Sequence, residues 1–433
     1  ILVALGIPAA TEVAGAATTW KDWTSYHGNG SRLGYAAQMP AVGRLAVTHR
    51  LTLDGAVYAS PIVVKGVTIV ATENDTVYAF DPHYRQLWRA HLGTPSPGTE
   101  RPCGNIDPLG ITGTPVYAAA TGLVYVAAEF SGNPPTHQLY GISFTSGAVR
   151  WHRSLDLPGV DSRVMQERGA LMARTAGVYV PFGGLNGDCG DYKGRVVRYA
   201  LNGAGNPSSF TVPTTREAGI WTPPGVVYGG ATEFVSVGNG ESGVGDPYDY
   251  SDSVLELSTS PARVDSFSPT SWPADNDSDL DLGSQAPALV GNWVFIAGKS
   301  GTAYVLRRSH LGGIGGQVSS ATVCRSFGGT AVVGSTVYVP CADGVRAVSI
   351  DSTGHMHVLW HAAANVAGSP IVGAGRVWSV DHDAGVLYGL STSTGRVLNS
   401  ISVGVTSRFA TPAAYGHHII FGTMTGLTVV NDA

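Results

Sequence analysis

The sequence predicts an all-β fold: an eight-bladed β-propeller of four-stranded antiparallel blades, its ring closed by N- and C-terminal strands. Three observations predict it. Only 13% of the 433 residues are charged, while 58 are glycine and 25 proline, a balance that suits short strands joined by tight turns and is poor in helix formers. A small-residue segment recurs eight times along the chain, at a spacing of roughly 40–65 residues that matches propeller blades. Each copy is followed by a strand rich in Val, Tyr and Phe.

Taken in order, the copies begin Ala59-Ser60-Pro61, Gly113-Thr114-Pro115, Gly169-Ala170-Leu171, Trp221-Thr222-Pro223, Gln285-Ala286-Pro287, Gly329-Thr330-Ala331, Gly368-Ser369-Pro370 and Ala410-Thr411-Pro412. Small residues suit these positions because innermost strands crowd around a central axis. The second strands are Val67–Ala71, Val124–Ala128, Val178–Phe182, Phe234–Val237, Val294–Ala297, Val337–Pro340, Arg376–Val380 and His418–Phe421. Several blades end in a turn and a tryptophan, as at Trp88, Trp151 and Trp360. The last copy runs out before its outer strand, and Leu45–Leu53 is placed to supply it, which removes an exposed sheet edge. A β-helix or two packed sandwiches are the competing architectures. No linker separates the copies, so the domain reading is a signal-peptide remnant over 1–17, an N-terminal extension over 18–44 and a single propeller over 45–433.

The net charge of −5 and the lack of a basic stripe argue against nucleic acid as a partner. Beyond the N-terminus no run of about 18 apolar residues offers a membrane span. The small, apolar start ending Ala14-Gly15-Ala16-Ala17 reads as the tail of a secretory signal, with an ordinary apolar strand as the alternative. Cys103, Cys189, Cys324 and Cys341 form no C-x-x-C motif; pairing as Cys103–Cys189 and Cys324–Cys341 fits a secreted, oxidising location, against four buried thiols.

In a propeller, the loops entering each innermost strand share one face with the loops joining the second and third strands. Sorting polar residues by that rule gathers Asn105, Asp107, Arg168, Arg216, Glu217, Asp279, Asp281 and Arg408 from the first loop set. The second set adds Glu73, Asn186, Asp188, Asn239, Lys299, Asp381 and Asp383. Turn Asp and Asn often cap their own backbone. In a chain with so few charges, the concentration on one mouth points to a site.

Four motifs follow in order: Ile220-Trp221-Thr222-Pro223, Val237-Gly238-Asn239-Gly240, Asp279-Leu280-Asp281-Leu282-Gly283 and Gly298-Lys299-Ser300-Gly301-Thr302-Ala303-Tyr304-Val305-Leu306. This succession resembles the quinoprotein alcohol dehydrogenases, which use pyrroloquinoline quinone (PQQ). It is more similar still to a secreted actinobacterial branch of PQQ-like propellers, on Cys103-Gly104-Asn105-Ile106-Asp107-Pro108 and on Gly183-Gly184-Leu185 with Asp188-Cys189-Gly190-Asp191. The resemblance implies PQQ and Ca²⁺ as cofactors, an alcohol or sugar as substrate and an external electron acceptor. It places Trp221 under the quinone, with Lys299, Arg168 and Asn105 also contacting the cofactor. Asn186, Asp188, Asn239, Asp279 and Asp281 would ligate the metal, with Asp279 as the general base.

The chain also departs from the dehydrogenase pattern. Cys103 is followed by glycine where the enzymes carry adjacent cysteines, Tyr58 stands where they have Glu, and Asn186 replaces a Glu ligand. A second reading therefore stands beside the first: a cofactor-free secreted propeller that binds or assembles another protein. Other motifs fail on context. Gly298-Lys299-Ser300 lacks the upstream glycine of a phosphate loop and sits between strands, and no G-x-S-x-G nucleophile elbow occurs.

Overall fold

The computed structural model of the chain describes residues 20–362 and 366–432, so the expected signal remnant over 1–17 lies outside the described residues. All eight repeat copies fold as blades. Seven consist of strands taken in chain order from the axis outward, beginning at Ile62–Val64, Val116–Ala118, Met172–Arg174, Val227–Tyr228, Ala288–Val290, Ala331–Val333 and Ile371–Gly373. The eighth takes Ala413–Tyr415, His418–Thr423 and Gly426–Asp432 from the C-terminus and its outer strand, Leu45–Thr52, from the N-terminus. Leu45 pairs with Asp432 and Thr52 with Gly426, antiparallel, which closes the ring as the sequence predicts. Among the described residues the one α-helix is short, Trp272–Asp277, and no helix is long and apolar enough to cross a membrane.

Position within a blade explains the burial pattern. The middle strands lie between neighbouring blades on both faces, so Leu123–Phe130, second in its blade, and Thr76–Phe80, third in its own, are buried throughout, without alternation. Outermost strands meet solvent, and Ser319–Thr322 alternates half-buried with exposed. The core is accordingly divided into apolar layers between consecutive blades. One joins Ile62, Ile69 and Ala79 of the first blade to Val124, Val126 and Ile142 of the second.

The outer edges are locked by the tryptophans that end the blades. Trp88 lies over Gly147 in the next blade and donates its Nε1–H to the Phe144 carbonyl at 2.9 Å. Trp360 repeats the arrangement two blades before the closure, over Gly395 and onto the Thr392 carbonyl at 2.8 Å. Gly147 adopts φ +71°, and a Cβ there would stand 2.7 Å from the Trp88 ring, so the turn requires glycine.

Residues 23–39 cross the face opposite the expected mouth. Trp23 bridges to Val63 of the first blade, Tyr228 of the fourth donates its N–H to the Gly30 carbonyl, and Tyr35–Ala36 adds a parallel strand beside Ile371–Gly373 of the seventh. Arg32 lies beneath the axis, 4% exposed, donating to the carbonyls of Tyr26, Ala170, Leu171 and Val226. The channel is thereby floored at one end.

Candidate functional site

On the open face, loops from opposite sides of the ring enclose an axial cavity of ≈ 440 Å³, within the range of about 300–1,000 Å³ usual for small-molecule sites. Tyr58 comes from the first blade, Arg168 from the loop entering the third, Trp221 from that entering the fourth, and Phe409 from that entering the eighth. Asn105, Asn186, Asp188, Asn239, Asp281 and Lys299 also line it. Eight of the nine residues singled out from the sequence thus meet in one cavity. The ninth, Asp279, stands at the rim with its side chain 66% exposed and reaches the group through Lys299.

The centre is built by close backbone approach. Trp221 packs against Gly183 and Gly238, and a Cβ at Gly238 would lie 3.0 Å from the Trp221 Nε1 and 2.5 Å from Asp281 Oδ1. Asp281 accepts the Asn239 N–H on Oδ1 at 2.5 Å and holds the Lys299 ammonium 2.6 Å from Oδ2. Burial raises the Asp281 carboxyl above the usual carboxylate range, against the opposing pull of Lys299. Burial acts to lower the Lys299 ammonium, but Asp281 and Asp279 outweigh it and hold it above its ordinary value. Lys299 also lies 6.0 Å from the Trp221 ring centroid, at the outer limit of a cation–π contact.

A second ring of carboxylates flanks this pair. The Asp188 Oδ1 accepts the Tyr192 hydroxyl at 2.6 Å, and Glu217 pairs with Arg216 at 2.6 Å. The Asn239 amide reaches Glu217 Oε2 at 3.5 Å. Burial, and then the charges of Asp188, Glu241 and Asp281, hold the Glu217 carboxyl up against Arg216. Among the described residues, Asp188, Asp279 and Asp281 do not each bring an oxygen within 4.8 Å of the other two; the one close triple of that kind is Asp381, His382 and Asp383 in a hairpin of the seventh blade.

The other half of the cavity went unrecognised in the sequence, apart from Arg168 and Arg408. Arg168 lies 4.4 Å over the Phe409 ring, and Arg408 lies 4.3 Å over Phe327 and 5.6 Å over Phe409. Phe409 in turn meets Trp221 edge-on, with centroids 6.3 Å apart. Alternation or motif matching finds none of this, because the contacts join loops of different blades.

Both expected disulfides form. Cys103–Cys189 ties the loop entering the second blade to the loop carrying Asn186 and Asp188, and Cys324–Cys341 staples the fifth blade to the sixth. The first sits on a small apolar cluster of Ile106, Leu109 and Leu185 beside Tyr58, so it braces the cavity wall.

A family model described as outer membrane protein assembly factor BamB matches residues 36–203. No curated protein sequence matches the chain. Among solved structures, the chain is similar to the quinohemoprotein alcohol dehydrogenase from Comamonas testosteroni, with TM-score 0.71 and 15% identity over 95% of this chain and 80% of that one. A europium-containing methanol dehydrogenase gives TM-score 0.71 at 13% identity, covering 95% and 98%. BamB from Moraxella catarrhalis gives 0.60 at 15%, covering 90% and 97%. At these identities the likeness is one of architecture. The chain is an eight-bladed β-propeller, similar over residues 36–203 to that repeat family and in overall architecture to these propellers.

Proposed function

We propose that the axial cavity is a quinone site of the PQQ type, at which an alcohol or sugar is oxidised in an oxidising compartment outside the cytoplasm. The observation that carries this reading is the placement of a flat indole, Trp221, in one cavity with a buried carboxylate–ammonium pair, Asp281 and Lys299. A planar, multiply charged anion suits that floor and the cations Lys299, Arg168 and Arg408 around it. A calcium ion fits less well: the acidic oxygens do not converge, and Lys299 already fills the space between Asp279 and Asp281. No step is therefore drawn through a metal.

The quinone, when bound, supplies the two-electron acceptor that takes hydride from the alcohol carbon, and an external acceptor then removes the electrons. The chain supplies proton handling and position. Asp281, buried and raised toward neutrality, accepts the substrate hydroxyl proton. Lys299 stabilises negative charge beside it, and Asp279 tethers Lys299 from the rim. The base role expected for Asp279 thus moves two residues along, to the carboxylate that faces the cavity.

The separation of the acidic oxygens also favours the second reading, a cofactor-free binding or assembly module, and one experiment separates the two. Purified protein is titrated with PQQ, with and without CaCl₂, following quinone absorbance and binding heat. Saturable binding that Trp221→Ala removes is expected; no binding at high micromolar quinone overturns the quinone reading. Asp281→Asn should keep PQQ affinity and lose dye-linked alcohol oxidation by about 100-fold or more.

A further inference from the structure

Beyond Lys299, the cavity carries a second set of groups, of which the quinone reading uses only the charges of Arg168 and Arg408. Thr406, Ser407 and Arg408 are consecutive in the loop entering the eighth blade, and all three line the cavity. Thr406 and Ser407 are each 6% exposed, and among the described residues neither hydroxyl has a hydrogen-bond partner. Buried hydroxyls left without partners are costly, and in a cavity lining they mark where a ligand atom belongs. Arg408 lies over Phe327 and Phe409, Arg168 lies over Phe409, and Arg325 lies 5.3 Å from Phe327. Among the described residues none of these three guanidiniums makes an ion pair, whereas Arg174, Arg216 and Arg346 each reach a carboxylate. Thr406, Arg408, Phe327 and Phe409 also border an adjoining cavity of ≈ 450 Å³ over the sixth to eighth blades, so the subsite has room to extend.

Stacking fixes the arginine planes while leaving their N–H edges free, and those edges fit a carboxylate by paired hydrogen bonds. Two hydroxyl donors beside them complete a set suited to an anionic oxygen group and ill suited to a neutral sugar. We infer that Thr406, Ser407, Arg408 and Arg168 form a carboxylate subsite, so that the ligand of the axial cavity is an organic acid. This builds on the assignment of that cavity as a ligand site. The carboxylate belongs either to a quinone bearing acid groups or to an acidic substrate such as a sugar acid.

The test is calorimetry with three probes, PQQ, D-glucuronate and D-glucose, on the wild-type chain and on Ser407→Ala, Arg408→Gln and Arg408→Lys. At least one of the two acids should bind, at least tenfold more tightly than glucose, and weaken as NaCl rises from about 50 to 500 mM. Arg408→Gln and Ser407→Ala should each reduce that affinity about tenfold, with Arg408→Lys between, while melting temperatures confirm that the variants are folded. Loss confined to PQQ assigns the subsite to the quinone, and loss confined to glucuronate assigns it to the substrate. If glucuronate binds in this way and PQQ does not, the quinone reading falls and the carboxylate subsite stands. If PQQ binds the wild type and the folded variants equally well, and glucuronate shows no preference over glucose, the subsite is overturned and the quinone reading survives.

Discussion

The Lys299 ammonium lies 2.6 Å from Oδ2 of Asp281, a side chain only 3% exposed, and this contact opposes the pull of burial on the carboxylate in the wall of the cavity. Removing one member of such a pair leaves the other without compensation. Lys299→Met should therefore cost about 3–5 kcal/mol at pH 7. The loss should shrink as pH falls, because burial raises the Asp281 carboxyl and eases its uptake of a proton. Asp279→Asn, at an exposed position, should change stability by no more than about 1 kcal/mol. Urea unfolding of the two variants at pH 4 and pH 7 checks this. Equal losses in both variants would show that Asp281 does not depend on Lys299.

A denser group of buried acids lies between the first three blades. Glu73, Asp75, Glu129 and Glu167 are 2%, 0%, 3% and 6% exposed, and neither oxygen of Asp75, Glu129 or Glu167 accepts a hydrogen bond among the described residues. Burial, and then the neighbouring Glu73 and Glu129 charges, push the Asp75 carboxyl up to about 9; burial likewise raises Glu73 to about 7. Unfolded carboxyls titrate near pH ~4. The native chain therefore keeps protons that the unfolded chain releases, and stability falls as pH rises from about 4 to about 9. His137 responds in the same direction at a higher pH. Burial lowers its pKa, yet the hydrogen bond to Asp156 and the charge of Glu129 3.2 Å away prevail and hold it up to about 10, so its contribution is lost as pH rises through that value. Asp75→Asn should flatten the decline below pH 9 and stabilise the protein at pH 8. Urea midpoints taken from pH 4 to pH 9 would read this directly, and a curve unchanged by Asp75→Asn would contradict it.

What the sequence makes legible follows from what repeats. Ala59, Gly113, Gly169 and their counterparts lead into innermost strands because crowding at the axis imposes the same demand eight times. The missing outer strand of the last copy predicts ring closure because an open edge is costly. The gathering of Trp221, Asn239, Asp281 and Lys299 follows from topology alone once the strand order is known. The choice between Asp279 and Asp281 does not. Both sit in a loop, Asp279 with φ +51° just after the short helix, and a loop has no period that tells an inward side chain from an outward one. Ser407 and Thr406 are equally silent, being ordinary loop residues whose burial depends on blades far away in sequence. Arg32 is the same case on the opposite face.

Cys103 and Cys189 are 86 residues apart, so their bond closes a long loop across the second blade. On the chain-entropy argument a loop of that size contributes about 4–5 kcal/mol, while the 17-residue separation of Cys324 and Cys341 corresponds to about 3 kcal/mol. The two bonds also differ in what they brace. Cys103→Ser with Cys189→Ser should lower stability and weaken ligand affinity at the cavity, because Asn186 and Asp188 lose their tether. Cys324→Ser with Cys341→Ser should lower stability with a smaller effect on affinity. Thermal melts and calorimetry on the two double variants separate these effects.

Arg32 places a guanidinium beneath the axis with no carboxylate partner among the described residues. Its Nη2 donates to Leu171 at 2.9 Å and to Ala170 at 3.4 Å, its Nε to Val226 at 3.2 Å and its Nη1 to Tyr26 at 3.4 Å. Burial pulls this guanidinium down to about 9. The bonds join the crossing segment to the third and fourth blades, while the Leu33 and Gly34 carbonyls accept from Val332 and Val372 of the sixth and seventh. Arg32→Met fills much of the space but leaves the Ala170, Leu171 and Val226 carbonyls without donors, and should cost about 3 kcal/mol. Arg32→Lys restores a charge but not the fork, so it should recover only part of that loss. If Arg32 anchors the whole floor, amide exchange at Val332 and Val372 should quicken in Arg32→Met although neither residue touches the guanidinium. Exchange unchanged at those two amides, with stability lost, would show that Arg32 holds only its own blades and that the segment is fixed by its backbone pairing.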